Sequence, residues 1–299
     1  MGNYNLKGFA VFNPFSYVSS AINAGRDIFS LSTDYRDSFR REAQRIIDAF
    51  KAHDLPPNEV MRLLPEGIVG DDPSVLERAS SLKKYLKHLS PWVASTLQLN
   101  PLWLKGRSDY PHKRVLSYKH FSELKDFFEA KQIEDPNMDR FVLHVFKADD
   151  APMDKSNGRF VVVLEEHFAE LDDDSCSRFF YLSHGHDFDN RNALLNLLQI
   201  MALAFHYGIH SWGRVMKPAH ILALDEGRGF IPLLWRDILV KSWYPEDPLW
   251  ERCTGDQVWN AAARKELDAD LIRNGMPGLV QRLQADRDRF AGKQPVVVM

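Results

Sequence analysis

The chain has little of what marks secreted or membrane-spanning proteins. Its two cysteines, Cys176 and Cys253, lie far apart and without metal-type spacing, which argues against a disulfide framework and favours the reducing cytoplasm. No basic segment followed by an apolar run opens the sequence, so no signal peptide is predicted. The longest apolar stretch, 193–209, is interrupted by Asn196 and Gln199 and is too short to span a bilayer. We expect it to form a buried helix.

The chain also lacks a strong excess of charge of either sign. Its formal net charge is -3, which argues against a protein that coats nucleic acid over its whole surface. Residues 36–114 nevertheless hold 14 Lys and Arg against 10 Asp and Glu, a net charge of +4 that leaves -7 for the remainder. With 44% hydrophobic residues the chain can build a packed core, and its length allows two domains. A local nucleic-acid face within an acidic protein is compatible with this distribution, and so is chance.

The first third of the chain has helical rather than strand periodicity. Residues 1–35 are rich in aromatic side chains, which predicts an ordered arm that docks on the rest of the protein. Apolar residues at helical spacing predict helices over 37–51, 59–64 and 75–89. Asp71 to Ser74 provide the N-terminal cap of the third of these helices.

The residues from 115 to 299 combine strands and helices. β-Branched and aromatic runs predict strands at 141–146, 159–165 and 178–182, with two further strands at 220–224 and 229–231. Helices are expected over the following ranges: 121–131, about 190–207, from 257 to Pro277, and 279–290. This half of the chain is therefore predicted to be an α+β domain.

One stretch, 90–106, has a specific pattern. A short helix is followed by a polar corner at Asn100-Pro101, and a second helix begins Leu102-Trp103-Leu104 and stops at Gly106. This run resembles the end of the helix-turn-helix domains of the Cro and phage-repressor class, which includes the xenobiotic-response-type regulators. The resemblance extends over 36–112, and the rest of the chain resembles no family we recognise. The expected fold class is thus α+β, with a helical helix-turn-helix-like N-terminal domain followed by a mixed antiparallel sheet domain with packed helices.

The resemblance implies a regulator that binds double-stranded DNA as a homodimer. Polar and basic side chains of the recognition helix would then face the base edges. The candidates are Ser80, Ser81, Lys83, Lys84 and Lys87. The residues from 115 onward would sense a ligand or form the dimer. In the alternative interpretation, the helical domain keeps this fold for packing or for contact with another protein and does not read DNA.

A histidine-rich segment supports a second hypothesis. His184-Gly-His186-Asp187 follows a predicted strand, and His206 and His210 lie four residues apart on or just past the next helix. Neutral imidazoles with one carboxylate can bind Zn²⁺ or Fe²⁺, so a metal-dependent enzyme is an alternative. The plainer interpretation is a polar turn in which Asp187 caps the helix. On that interpretation no metal, no cofactor and no catalytic residue is expected.

Three further groups of residues have both a functional and a structural interpretation. Glu165-Glu166-His167 can act as an acid–base group, but an exposed strand end explains it and is preferred. The stretch 225–229 has no phosphate-loop pattern and predicts a hairpin turn. Several aromatic residues line a pocket or, in the preferred interpretation, simply fill the core. They are Phe230, Trp235, Trp243, Tyr244, Trp250 and Trp259.

Overall fold

A computed structural model of the chain describes residues 38–149, 158–171, 174–188, 190–250 and 257–291. The aromatic arm predicted at 1–35 lies outside these residues. Within them the protein is mixed α+β, as expected, with eleven α-helices and a five-stranded mixed sheet. Among the described helices, none combines the length and the apolar character needed to cross a membrane.

The first part of the chain, residues 38–104, is a cluster of short helices that we call the helical unit. Its helices are α1 (Ser38–Ala52), α2 (Pro57–Leu63), α3 (Ala79–Leu82), α4 (Leu86–Thr96) and α5 (Pro101–Leu104), with a 3₁₀ helix at Pro73–Glu77. The Asn100 side chain caps α5 by accepting from the Leu102 amide. Gly106 follows in the left-handed conformation, at φ 72°. The corner and stop predicted within 90–106 are therefore confirmed.

The single helix predicted over 75–89 is wrong, because the chain forms the 3₁₀ helix, α3 and the start of α4 there. Asp72 does cap the first of these, since its side chain accepts from the Ser74 amide. Arg78 then adopts an extended conformation, φ -122° and ψ 118°, that interrupts the helix. Three short segments each turn one or two leucines into the core, so the apolar spacing alone did not distinguish them from one helix.

The helical unit has a core of its own. Ile46, Ile47 and Phe50 of α1 are buried in it together with Trp103 of α5. The Arg45 guanidinium lies 5.1 Å from the Trp103 ring centroid and donates to the Trp103 carbonyl. Trp103 thus joins the last helix of the unit to the first.

The sheet contains β1 (Phe141–Ala148), β2 (Arg159–Leu171), β3 (Asp174–Asp187), β4 (His210–Met216) and β5 (Leu239–Trp243). Their spatial order is β3-β2-β1-β4-β5. β1 runs antiparallel to β2 and parallel to β4, while the outer pairs β2–β3 and β4–β5 are antiparallel. The first three strands were predicted, whereas β4 and β5 were not.

Two predicted strands are instead helices. Residues 220–224 belong to α8 (Pro218–Asp225), and residues 229–231 lead into α9 (Ile231–Leu234). Pro218 in the first turn favours the helix, because its missing N–H has no role there. The hairpin turn predicted at 225–229 is therefore the corner between α8 and α9.

Helices cover both faces of the sheet. On one face lie α6 (Phe121–Glu134), α7 (Arg191–His206), α10 (Gln257–Arg273) and α11 (Pro277–Phe290). The Asn190 side chain caps α7 by accepting from the amides of residues 192 and 193, so the interpretation in which Asp187 caps this helix is wrong. The other face carries α8 and α9.

β2 and β3 are longer than the strand beside them. The pairing of β2 with β1 ends at Glu166, but β2 and β3 remain paired as far as Leu171 and Asp174. This overhanging ribbon, residues 167–171 with 174–178, reaches the helical unit. There Phe168, Ala169 and Cys176 pack against the helical core. The ribbon therefore brings the helical unit to one end of the sheet.

Candidate functional site

A cavity of about 690 Å³ lies at the junction of the helical unit and the sheet. Distant segments of the chain line it: the α1–α2 corner (52–59), the facing parts of β2 (165–167) and β3 (175–179), and the stretch 232–236 after the start of α9. We call it the junction pocket. Since its walls come from distant parts of the sequence, no local motif could have revealed it.

Strand alternation places the polar side chains of the pocket on one face of the sheet. Glu165 and His167 are two residues apart on β2, and Ser177 and Phe179 are two apart on β3. In the antiparallel register Glu165 pairs with Phe179, and His167 pairs with Ser177. Side chains at alternate positions point to the same face, so all four lie together in the pocket wall.

These side chains are joined by hydrogen bonds. The Glu165 Oε2 atom is 2.7 Å from Nε2 of His144, a residue of β1. The Ser177 Oγ lies 3.0 Å from His167 Nδ1, and Ser177 also hydrogen-bonds to Glu165. Glu165 Oε1 is 4.0 Å from His167 Nδ1. The result is a connected polar cluster on the pocket wall.

The protonation of this cluster follows from its surroundings. Burial lowers the pKa of His144 despite the neighbouring Glu165 carboxylate, so the ring is neutral at pH 7. Arg214 Nε donates to His144 Nδ1 at 3.5 Å, which leaves Nε2–H to donate to Glu165. Burial favours protonated Glu165, but the hydrogen bonds from His144 and Ser177 outweigh it and lower the pKa of this carboxyl. Glu165 is therefore a buried, ionised carboxylate.

The neighbouring Glu166 faces the opposite side of the sheet. Its carboxylate is fully buried and lies 2.7 Å and 2.9 Å from two nitrogens of Arg178, with Lys131 Nζ at 3.5 Å. Glu165 is 8% exposed. The exposed strand end predicted for 165–167 is therefore wrong for both glutamates, because helices cover one face and the helical unit borders the other.

His53, at the end of α1, adds a hydrogen-bond acceptor to the pocket lining. Burial lowers the pKa of His53 to about 4, so the ring is neutral at pH 7. Its Nδ1 is 2.8 Å from the Ala49 carbonyl oxygen and donates to it. Nε2 is then the unprotonated nitrogen, and it is buried without a hydrogen-bond partner.

Aromatic rings form the apolar part of the pocket wall. Trp235 and Phe179 lie with ring centroids 5.3 Å apart, and Trp235 also meets the His144 ring edge-on at 4.7 Å. The other aromatics singled out from the sequence do not join Trp235 in one pocket. Phe230 is in the helical core, Trp250 is in the sheet core, Trp243 is half-buried on β5, and Tyr244 is exposed. The Trp259 side chain is outside the described residues.

The predicted metal ligands belong to two elements of the fold, β3 and α7. The backbone of His184 and His186 belongs to β3, while their side chains lie outside the description. Asp187 lies 3.7 Å from Arg159. His206 is the last residue of α7, a helix of sixteen residues that is about 24 Å long. The described side chains contain no group of three or more metal-ligating residues. A Zn²⁺ or Fe²⁺ site at His184, His186, Asp187 and His206 stays a prediction, with His206 at the end of α7 opposite to the one that follows β3.

The predicted DNA-reading residues lie close together in sequence and near the surface. Ser80 and Ser81 are on α3, Lys83 and Lys84 follow it, and Lys87 is in the first turn of α4. Ser81 is half-buried and the other four residues are exposed. We call them the basic surface. They occupy a helix–turn–helix step, although α3 itself has only four residues.

The sequence indicates only one part of the pocket, because the segments that line it are distant in the chain. The alternation of Glu165 with His167 and of Ser175 with Ser177 was present in the sequence. That pattern shows which residues share a face. It does not show that the face is buried, since this depends on the distant α1–α2 corner.

Comparison of the chain with protein-family models, with curated proteins and with solved structures found no match in any of the three.

Proposed function

We propose that this protein is a cytoplasmic, ligand-responsive regulator that binds a small molecule in the junction pocket and contacts double-stranded DNA through its helical unit. The observation that carries the proposal is the composition of the pocket wall. One side is the α1–α2 corner of the helical unit, and the other is the sheet. A ligand between them touches both parts of the protein at once.

The pocket has the properties of a small-molecule site. Its volume of about 690 Å³ falls in the usual range for such sites, roughly 300 to 1,000 Å³. Aromatic rings provide apolar contact area, and Glu165, His167 and Ser177 provide directional polar groups. This combination orients a ligand as well as burying it.

Polar contacts across the junction provide a route for coupling. Arg236, which lines the pocket, pairs with Asp54 of the α1–α2 corner. Arg178 of β3 donates to the Thr96 carbonyl of α4 at 3.5 Å. A ligand that binds more tightly at one spacing of the two walls favours the position of the helical unit that has this spacing. The size of the shift is set by the difference in ligand affinity between the two positions.

The output of this coupling would be DNA binding. The basic surface at 80–87 supports it, together with the net positive charge of residues 36–114 and the resemblance of the 90–106 run to phage-repressor-type domains. Lysines there would contact phosphates, and Ser80 and Ser81 lie beside them. Such regulators bind paired half-sites, so we propose a homodimer as the DNA-bound form.

The ligand part of the proposal is tested with a blocked pocket. Ser175 lines the pocket and is exposed, so Ser175→Trp fills its mouth without disturbing a core. Ser122→Trp, on the exposed side of α6, is the matched control. Both variants and the parent protein are screened by thermal shift against a library of small polar metabolites.

We expect some library compounds to raise the Tm of the parent protein and of Ser122→Trp but not of Ser175→Trp. Ligands that stabilise all three proteins equally would bind elsewhere. That result, or a library without any stabilising compound, would overturn the proposal.

A further inference from the structure

Two buried polar groups of the residues that line the junction pocket are acceptors. Glu165 contributes a carboxylate and His53 an unprotonated Nε2 that has no hydrogen-bond partner. A ligand that satisfies both must bring N–H or O–H groups. This requirement excludes carboxylates and phosphates as the part of the ligand that reaches them.

The negative charge of Glu165 indicates which kind of donor group the ligand carries. Its hydrogen-bond partners, His144 and Ser177, are both neutral. Arg214 lies beyond the His144 ring and donates to the nitrogen that faces away from Glu165. Within the described residues no lysine or arginine pairs with this carboxylate. A buried anion of this kind is stabilised by a cation that arrives with the ligand.

Glu166 shows how the same strand treats a carboxylate that has only a structural role. Its two oxygens are held by Arg178, and Lys131 adds a second fixed cation. The protein thus neutralises the glutamate on the closed face with its own side chains. It leaves the glutamate on the pocket face without such a partner.

The remaining lining favours a positive ligand as well. Of the three carboxylates in the lining, Asp54 pairs with Arg236 and Glu59 pairs with Arg62 at 3.0 Å, so within the described residues Glu165 alone has no lysine or arginine partner. The faces of Trp235 and Phe179 lie beside this region, and aromatic faces attract organic cations.

From these contacts we propose that the junction pocket binds an organic cation, a small molecule that carries an ammonium or guanidinium group on an aromatic or aliphatic body. The cation pairs with Glu165 and donates to His53, and the body packs on Trp235 and Phe179. The inference rests on the proposed function, because it names the chemical class of the ligand for the same pocket.

The test uses probes of one shape and different charge on the full-length protein. Tryptamine is the cation, tryptophol is its neutral counterpart, and indole-3-acetate is the anion, while agmatine supplies a guanidinium on an aliphatic chain. Binding is measured by calorimetry at pH 7.5. We expect tryptamine or agmatine to bind at least ten times more tightly than tryptophol, and indole-3-acetate to show no binding.

Glu165→Gln keeps the shape of the side chain and removes its charge, and Glu129→Gln makes the same change on the exposed side of α6. We expect the first variant to lose at least ten-fold in cation affinity and the second to lose none. Trp235→Leu is the second pocket variant, and it should weaken the cation more than three-fold. Circular dichroism and the Tm confirm that each variant is folded.

Cation binding that survives in Glu165→Gln would overturn the inference, and so would a preference for tryptophol or indole-3-acetate. If the metabolite screen finds uncharged ligands that Ser175→Trp blocks while no cationic probe binds, the organic cation is wrong and the ligand-binding function stands. If neither the screen nor the probes give a pocket ligand, both are wrong.

Discussion

Glu165 and Glu166 are consecutive residues of β2, yet the first opens on the junction pocket with neutral partners and the second is enclosed by Arg178 and Lys131. The difference arises because a strand turns alternate side chains to opposite faces. It separates a carboxylate that stabilises the fold from one that is available to a ligand.

Glu166→Gln is expected to destabilise the protein more than Glu165→Gln. The first change leaves the partly buried Arg178 without its carboxylate, a type of loss that amounts to about 3 kcal/mol. The second leaves an amide oxygen that still accepts from neutral donors, at a loss of about 1 kcal/mol. Urea unfolding monitored by circular dichroism measures both. Equal losses would show that the two glutamates do not differ in this way.

Acid should destabilise the protein in part through His112. This ring is 4% exposed, and burial, with a smaller effect of His53, lowers the pKa of His112 to about 3. Below pH 6.5 His112 binds a proton in the unfolded state but stays neutral in the folded state. The free energy of unfolding therefore falls as the pH drops from 6.5 towards 3. At pH 5 the loss from His112 is about 2 kcal/mol relative to pH 7.5.

His112→Phe removes this titration and keeps a ring against Phe230, whose centroid lies 5.2 Å away. The variant should be less stable at pH 7.5, because the Ile231 amide loses its acceptor, but less sensitive to acid. His88→Gln, at an exposed position of α4, should keep the acid sensitivity of the parent. An unchanged pH dependence in His112→Phe would contradict the assignment.

Gly106→Ala should destabilise the helical unit by about 1 kcal/mol. The glycine has φ 72°, and an added Cβ would lie 2.9 Å from Arg41 Cδ. Gly278→Ala is the control, because its Cβ meets nothing within 4 Å and the residue lies in the first turn of α11. The control variant should be as stable as the parent or slightly more stable in thermal unfolding.

The proposed DNA contact is tested by replacing Lys83, Lys84 and Lys87 with alanine together. If each contacts a phosphate, the slope of log K against log salt should fall by up to about 3, and affinity should drop on every duplex. Fluorescence anisotropy over random and genomic duplexes measures it. A triple variant at Lys217, Lys241 and Lys265, exposed lysines of the sheet part, should bind like the parent. Salt-insensitive binding, or none at micromolar protein, would rule out the contact.

The elements that could be predicted from the sequence were those with a long periodic pattern of apolar residues or a polar residue at the start of a helix. The bounds of α1 and α7 were predicted within a few residues, because both helices bury one or more faces over four turns. The corner at Asn100 was predicted where its side chain caps α5. The short apolar run at 220–224 fits a strand or a helix equally well, and Pro218 decided for the helix. β4 mixes His210 and Gly213 with apolar residues and was hidden for that reason.

The pocket could be predicted only in part. Period-two spacing places Glu165 and His167 on one face, which is visible in the sequence. Their burial depends on α8, α9 and the α1–α2 corner, and these are remote in the chain. The sequence also does not show that Glu165 lacks a lysine or arginine partner. Arg178 pairs with Glu166 and Arg214 donates to His144, and these partners become clear only from the three-dimensional contacts.

The overhanging ribbon limits how the chain can be divided. Phe168, Ala169 and Cys176 belong to the sheet by hydrogen bonding but complete the hydrophobic core of the helical unit. If the chain were cut near residue 114, the C-terminal fragment would expose the apolar side chains of this ribbon. The N-terminal fragment would lack one side of the core of the helical unit. Neither fragment should fold and stay monomeric by itself. A segment of this chain can therefore resemble a known domain without being able to fold independently.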